Sequence, residues 1–362
     1  MRVLHVINSL HTGGAEKLIV SSLSGLQQED IEVDLLLLNG EETPFRKELE
    51  KKMNIKSLGR SFYNPFYIFK LIPFIRKYDL IHVHLFPAMY FVALAKIISF
   101  SKTKLLFTEH STSNRRLKKR IYFPIERLIY SVYTLVICIT EEVKKTLHDK
   151  LNLHNDQIHV VENGIDISNI EQSVAHNRSI YGYNDEDKLI CMVAGFRKEK
   201  DHDTVVRTLK SLPEKYKLIF IGAGDRFDTV QKLVETLDVS DRVKFLGIRS
   251  DVYSLIKMCD VAVLSSHWEG FGLAAAEAMA CGIPTIASDV NGLSQVVSEG
   301  GLLFEKGNAI KLAEQVLSLE DPILYNKISD NGKKKSQYYD LSNMVSKTIA
   351  LYRNVKVRES HK

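Results

Sequence analysis

Two glutamates, Glu269 and Glu277, stand with seven residues between them around the segment Gly270-Phe271-Gly272-Leu273-Ala274-Ala275-Ala276. The glycines allow backbone to come close to a ligand. Leu273 to Cys281 reads as a short alanine-rich helix, stopped by Gly282 and by Pro284 just beyond. Its start leaves free N–H groups and the positive end of the helix dipole at residues 271–274, which suits phosphate or sugar oxygens. Glu269 precedes this helix and Glu277 lies about one turn into it. Both carboxylates can therefore line one cleft at the carboxyl ends of strands. The plainer alternative is a surface helix with a solvated Glu277, but alanines beside glycines favour a buried one.

Other groups carry weaker chemistry. Asp201-His202-Asp203 has the form of a metal-binding Asp-x-Asp, but it stands directly before the helical pattern 204–209, where Asp203 reads as an N-cap. His82 and His84 share a strand face and, with His110, have ligand chemistry for a metal. No carboxylate or cysteine cluster supports them, so no metal site is assigned. Gly13-Gly14 forms a turn between a strand and a helix, with N–H groups able to face a phosphate. Ile221-Gly222-Ala223-Gly224-Asp225 approaches a dinucleotide fingerprint, with Phe227 where the third glycine would stand.

The elements that must position these residues alternate along the chain. Short, nearly continuous apolar runs such as 2–7, 80–84, 104–108, 135–139, 188–193, 217–221 and 261–264 read as parallel strands covered on both faces. Helical patterns between them supply the crossovers. The alternation stalls in a polar stretch after Asn163. At ~150 residues per domain, 362 residues make two domains. The expected architecture is α/β, with a first domain over 1–165, a linker over 166–186, a second domain over 187–340, and a C-terminal helix or tail over 341–362 that could cross back to the first. The apolar run 80–100 carries His82, His84, Pro87 and Lys96, which are costly in a bilayer, and reads as a strand followed by a helix. No secretory signal fits the N-terminus. Cys138, Cys191, Cys259 and Cys281 lack metal or redox spacing, as in reduced core thiols of a cytoplasmic protein.

At this point the sequence resembles the retaining GT-B glycosyltransferases of glycosyltransferase family 4. Their signature is the glutamate pair with a Gly-Phe-Gly-Leu-like core, as at Glu269 and Glu277. Further landmarks recur in order: Gly13-Gly14-Ala15-Glu16, the strand end at His84, Thr108-Glu109-His110, Glu162-Asn163-Gly164-Ile165-Asp166, and 195–202. The resemblance implies two Rossmann-like domains facing across a cleft, acceptor bound by the first and nucleotide-sugar donor by the second. It places Glu277 on the ribose hydroxyls and Glu269 on the donor sugar, with Arg197 and Lys200 clamping the diphosphate. Arg197 stands closer to Lys200 than in the commonest version of the motif. Two such cations would stabilise the charge developing on a departing nucleoside diphosphate without a metal. Gly13 and Gly14, with Gly270, Phe271, Gly272 and Leu273, complete the donor cradle. His110 joins Glu269, Arg197 and Lys200 as a catalytic candidate, while His84, Glu109 and Asn114 border the acceptor. No cofactor is implied, since the nucleotide sugar, expected to be a UDP-sugar, is a substrate. The product would be a hexosyl or N-acetylhexosaminyl glycan of cell-surface polysaccharide synthesis, formed with retention. A nucleotide-sugar epimerase or hydrolase of the same architecture, or a non-catalytic sugar-nucleotide-binding scaffold, is the alternative.

Charge adds a partner. Residues 1–163 hold 23 basic and 17 acidic side chains, while residues 164–362 hold 26 and 27. Segment 102–127 alone has eight Lys and Arg against Glu109 and Glu126, which accounts for the net +5. One basic face, not a diffuse nucleic-acid-binding coat, is indicated. The run 115–120 is followed by Ile121-Tyr122-Phe123, and 62–70 is rich in aromatics. Cations beside interfacial aromatics suit an anionic membrane surface or a lipid-diphosphate-linked acceptor; a solvated face over a core helix is the other reading. A cytoplasmic enzyme, peripheral on the inner face of the cell membrane, is the expected setting.

Overall fold

A computed structural model describes residues 1–11, 13–110 and 115–357. Asn114 lies outside the described residues. The chain divides into two compact units, one formed by residues 1–164 with the stretch from Leu341 onward, the other by Ile165–Asp340.

Among the described residues the first unit has seven strands: β1 (Arg2–Ile7), β2 (Glu32–Asn39), β3 (Ile55–Gly59), β4 (Leu80–His84), β5 (Lys104–Glu109), β6 (Leu135–Cys138) and β7 (Ile158–Val160). They form one parallel sheet in the order β3-β2-β1-β4-β5-β6-β7. The chain winds outward in both directions from β1 and β4, and the crevice beyond their carboxyl ends is where such sheets bind ligands. Val3, Leu4, Val6 and Ile7 of β1 are all fully buried, as a central strand covered by helices on both faces requires. The apolar run 80–100 is β4 followed by the helix Ala88–Ser99. Among the described residues no helix is long and apolar enough to cross a membrane.

The second unit carries β8 (Lys188–Val193), β9 (Tyr216–Ile221), β10 (Val243–Phe245), β11 (Val261–Leu264), β12 (Thr285–Ser288) and β13 (Leu302–Phe304). Its sheet is also parallel, in the order β10-β9-β8-β11-β12-β13, so its switch point falls between β8 and β11. Residues 166–186, expected to be a linker, belong to this unit. They hold the helix Ile167–Gln172, capped by the Asp166 carboxylate on the Asn169 N–H at 3.0 Å, with Ile167 and Ile170 buried. The polar composition misled because cations fasten the backbone: Lys257 donates to the carbonyls of Ile170 and Ser173, and Arg178 to those of Asp187 and Met258.

The C-terminal helix Leu341–Val357 belongs to the first unit, where it packs against the helix Gly14–Leu26. Met344, Val345, Ile349, Tyr352 and Val355 are buried on one face of it. Each such large apolar side chain contributes about 1.5–3 kcal/mol. Lys347 pairs with Glu162 at 2.7 Å and Arg353 with Asp30 at 2.9 Å on the outside. The four cysteines are buried free thiols.

Candidate functional site

In the second unit, topology brings the sequence motifs together at one switch point. Gly195–Lys200 leaves the carboxyl end of β8, and Ser265–Gly272 leaves that of β11. Across this point the Lys200 ammonium donates to the Glu269 carboxylate, whose other oxygen accepts the Gly270 N–H at 3.1 Å. The two loops are also tied by backbone, with His267 N–H donating to the Glu199 carbonyl at 2.8 Å. Asp201, in the left-handed region at φ 39°, accepts from the hydroxyls of Thr204 at 2.7 Å and Ser265 at 3.2 Å. Asp203 is not the expected N-cap: the helix already begins at His202, and Asp203 is engaged by both oxygens with Arg226. The two aspartates of the Asp-x-Asp pattern thus serve different partners. His202 stacks on Phe196 at 4.2 Å, and burial pushes its imidazole down to about 4.

Gly272, at φ 92°, caps the helix Leu273–Ala280. A Cβ there would sit 2.4 Å from a Leu293 methyl group, and it is the left-handed turn that calls for glycine. The helix buries Ala275, Ala276, Glu277, Ala278 and Met279, and its small side chains let it sit close to the sheet. Glu277 is 4% exposed and accepts from the Tyr253 hydroxyl at 3.2 Å. The reading of a solvated surface helix is thereby excluded. Phe271 is buried, with Tyr339 edge-on to its ring. Arg197 is exposed at the start of the 3-10 turn Lys198–Lys200.

In the first unit, Gly13 is extended and precedes the helix Gly14–Leu26, while His84 ends β4 and His110 follows β5. Glu109 is buried and accepts from the Tyr130 hydroxyl at 2.6 Å. The histidines form a cluster that includes His5 of β1. His5, His82 and His84 have ring nitrogens within 4.8 Å of one another, as a metal would need. Those nitrogens are committed to hydrogen bonds instead. His5 pairs Nδ1 with His84 Nε2 at 3.1 Å and Nε2 with the Tyr352 hydroxyl at 3.0 Å. His82 pairs Nδ1 with the Tyr352 hydroxyl at 2.6 Å and Nε2 with Thr108 Oγ1 at 2.7 Å. Burial pushes His5 down to about 3 and His110 to about 4, and holds His82 and His84 well below the usual imidazole range.

Sequence reasoning missed four contributors. Gly292, at φ 84°, lies so close to the Glu269 and Gly270 carbonyls that a Cβ would sit 2.5 and 2.7 Å from them; the Asn291-Gly292 turn pair was its only signal. Tyr253 sits in a helix with no motif around it. His5 reads as one polar residue inside a strand, and Tyr352 lies 270 residues from its partner His82.

Comparisons with known proteins bear on the family and the fold. The family described as Glycosyl transferases group 1 matches residues 174–335, and that described as Glycosyltransferase Family 4 matches residues 12–169. N-acetyl-alpha-D-glucosaminyl L-malate synthase of Bacillus anthracis is 29% identical over 291 residues, covering 76% of this chain and 75% of that protein. The N-acetylgalactosamine-N,N'-diacetylbacillosaminyl-diphospho-undecaprenol 4-alpha-N-acetylgalactosaminyltransferase of Campylobacter jejuni is 25% identical, covering 92% of this chain and 94% of that one. Among solved structures, Anabaena HepE in complex with UDP and glucose superposes with a TM-score of 0.86 at 20% identity, covering 98% and 100% of the two chains. With both units built as Rossmann-like parallel sheets and both matched in sequence, the chain belongs to the GT-B glycosyltransferases of family 4.

Proposed function

We propose that this glycosyltransferase moves a hexosyl or N-acetylhexosaminyl group from a nucleotide sugar, with UDP as the nucleotide, to a glycan or lipid-diphosphate-linked acceptor of cell-surface polysaccharide synthesis. The observation that carries the reading is the Lys200–Glu269 pair at the β8/β11 switch point, followed by a glycine-capped helix that buries Glu277. Glu277 would accept the ribose hydroxyls and Glu269 would hold the sugar. Arg197, Lys200 and the N–H groups of 271–273 would take the diphosphate. The transfer proceeds with retention and without a metal or other cofactor. The acceptor oxygen bonds to the anomeric carbon on the face from which the diphosphate departs, and the departing phosphate oxygen takes the acceptor's proton. The first unit binds the acceptor, with His110 and His84 beside it. The UDP complexes of HepE support UDP as the nucleotide, and the undecaprenol-linked name of the Campylobacter relative supports a lipid-diphosphate-linked acceptor.

The setting we propose is the inner face of the cell membrane. Exposed apolar side chains lie on neighbouring helices of the first unit: Phe69 on Tyr67–Lys77, Ile97 and Ile98 on Ala88–Ser99, and Ile125 and Leu128 on Phe123–Ser131. Lys119 and Arg120 are exposed immediately before the last of these.

A panel of nucleotide sugars tests the donor by thermal shift, since a ligand at 100 times its Kd stabilises by about 2.7 kcal/mol. A shift with uridine nucleotides alone is expected. A shift with another base replaces UDP, and donor consumption at full rate without acceptor overturns the transferase reading.

A further inference from the structure

The first unit contains a continuous file of hydrogen-bonding groups: Thr108, His82, Tyr352, His5, His84 and His110. The successive links are 2.7, 2.6, 3.0, 3.1 and 3.4 Å. The file crosses the middle of the sheet, since His82 and His84 come from β4, His5 from β1, Thr108 from β5, and Tyr352 from the C-terminal helix. His5, His82, His84 and Tyr352 are all at most 4% exposed, so bulk water does not reach these links. Burial also keeps the four imidazoles neutral and the Tyr352 phenol protonated at neutral pH.

A neutral imidazole has one N–H and one lone pair, and a phenol has one hydrogen to give. Every interior member has a partner on each side, so it must donate to one neighbour and accept from the other. If two donors or two acceptors met, a buried polar group would be left unpaired, at a cost of about 1–3 kcal/mol. The file therefore has a single direction, and one end chooses it. That end is Thr108: among the described residues its buried hydroxyl has the His82 ring as its one hydrogen-bond partner. Its single hydrogen therefore goes to His82 or is left unpaired, whereas an unused lone pair costs less. With its hydrogen given to His82 Nε2, His82 donates from Nδ1 to Tyr352, Tyr352 to His5 Nε2, His5 from Nδ1 to His84 Nε2, and His84 from Nδ1 to His110 Nε2.

We propose that Thr108 and Tyr352 are positioning residues that act through this file to hold His110 as its Nδ1–H tautomer. His110 then meets a ligand as a hydrogen-bond donor, not as a proton-abstracting base. Its functional use rests on the reading above that His110 borders the substrate; the tautomer itself is measured whether or not that reading holds. The Tyr352 hydroxyl gives the C-terminal helix a task beyond packing: it closes the gap between His82 and His5, which no direct hydrogen bond spans among the described residues.

The test is the long-range 1H–15N spectrum of the histidine-labelled full chain at neutral pH, with His110 assigned by its loss in His110→Gln. Wild type is expected to show Nδ1 as a protonated nitrogen and Nε2 as a lone-pair nitrogen. Thr108→Val, nearly the same shape, removes the directing hydroxyl, and Tyr352→Phe cuts the file. Both should move the two His110 nitrogens to averaged, intermediate positions, while Thr108→Ser restores the wild-type pattern. A packing role alone would leave the His110 nitrogens where they were. The proposal is overturned if wild-type His110 carries its hydrogen on Nε2, or if both Thr108→Val and Tyr352→Phe leave its pattern unchanged.

Discussion

The Lys200 ammonium donates to the Glu269 carboxylate across 69 residues of sequence, from the loop after β8 to the loop after β11. Their side chains are only 23% and 16% exposed, so the pair is poorly screened. A diphosphate arriving at this point would meet a cation already held in place. Replacing Lys200 by alanine should lower kcat by about 10²–10³-fold, as when one preorganised donor to developing charge is lost. Nucleotide release in the presence of acceptor measures it, with circular dichroism confirming the fold. Wild-type turnover in Lys200→Ala would remove the residue from the site.

Glu277 and the Tyr253 hydroxyl make a second relationship of the same kind, with the carboxylate buried at the helix and the phenol donating at 3.2 Å. If Glu277 also accepts the ribose hydroxyls, Glu277→Ala should weaken binding of the nucleoside diphosphate by about 10–100-fold, the worth of a hydrogen bond to a charged group. The 2′-deoxy nucleotide should bind wild type less tightly than the ribonucleotide and bind the variant equally. Calorimetry with both nucleotides decides, and discrimination that survives Glu277→Ala refutes the assignment.

Gly292 constrains Glu269 from behind. At φ 84°, with a Cβ due 2.5 Å from the Glu269 carbonyl, alanine there is both strained and in collision with backbone. Gly292→Ala should cost about 1–3 kcal/mol and lower the melting midpoint by several degrees. Activity should fall below what the stability loss explains, because the collision displaces Glu269 and Gly270. An unchanged midpoint would mean that the Asn291-Gly292 turn does not press on the Glu269 loop.

Much of this was legible in the residues. The strands that frame both switch points are apolar runs because they are buried on both faces, and the glutamate pair stands out as a candidate because glycine and alanine cluster between its members. The edge strand β3 escaped notice: only Leu58 of its five residues is buried, so Ile55-Lys56-Ser57-Leu58-Gly59 has no apolar run. The segment 166–186 was illegible for the opposite reason, since Lys257 and Arg178 hold it by its carbonyls, which a sequence does not display. His5 and Tyr352 could not be paired with β4 in advance, because only the sheet order β2-β1-β4-β5 and the return of the C-terminal helix bring them together.

Burying neutral histidines makes the first unit sensitive to acid. His5 and His110 titrate at about 3 and about 4 in the folded chain, against 6.5 when unfolded. The unfolded chain therefore takes up protons first as pH falls. The stability contributed by neutral burial is complete above pH 6.5 and is lost progressively from there down to pH 4 and 3. At about 1.4 kcal/mol per unit, the loss for fully buried His5 by pH 5 is about 2 kcal/mol. Amide-exchange protection of β1 and β4 at pH 7.5 and pH 5 should show it, with a smaller change in His5→Asn. Equal protection at both pH values would contradict the buried, neutral state.

Membrane attachment, if it uses the exposed apolar side chains of the first unit, has two separable parts. Ile125 and Leu128 are 53% and 59% exposed on one helix, where burial in an interface returns up to about 1.5–3 kcal/mol each. Lys119 and Arg120, exposed just before that helix, would each add about 1 kcal/mol near an anionic surface. The double variant Ile125→Ser, Leu128→Ser should therefore lower partitioning at least tenfold at any ionic strength. Lys119→Glu with Arg120→Glu should lower it at low salt and matter less at high salt. Flotation with vesicles of neutral lipid alone, and of neutral mixed with anionic lipid, measures both. Wild-type protein that floats equally with the two compositions would take the basic residues out of the interface. Wild-type protein that floats with neither would leave the apolar face without a membrane.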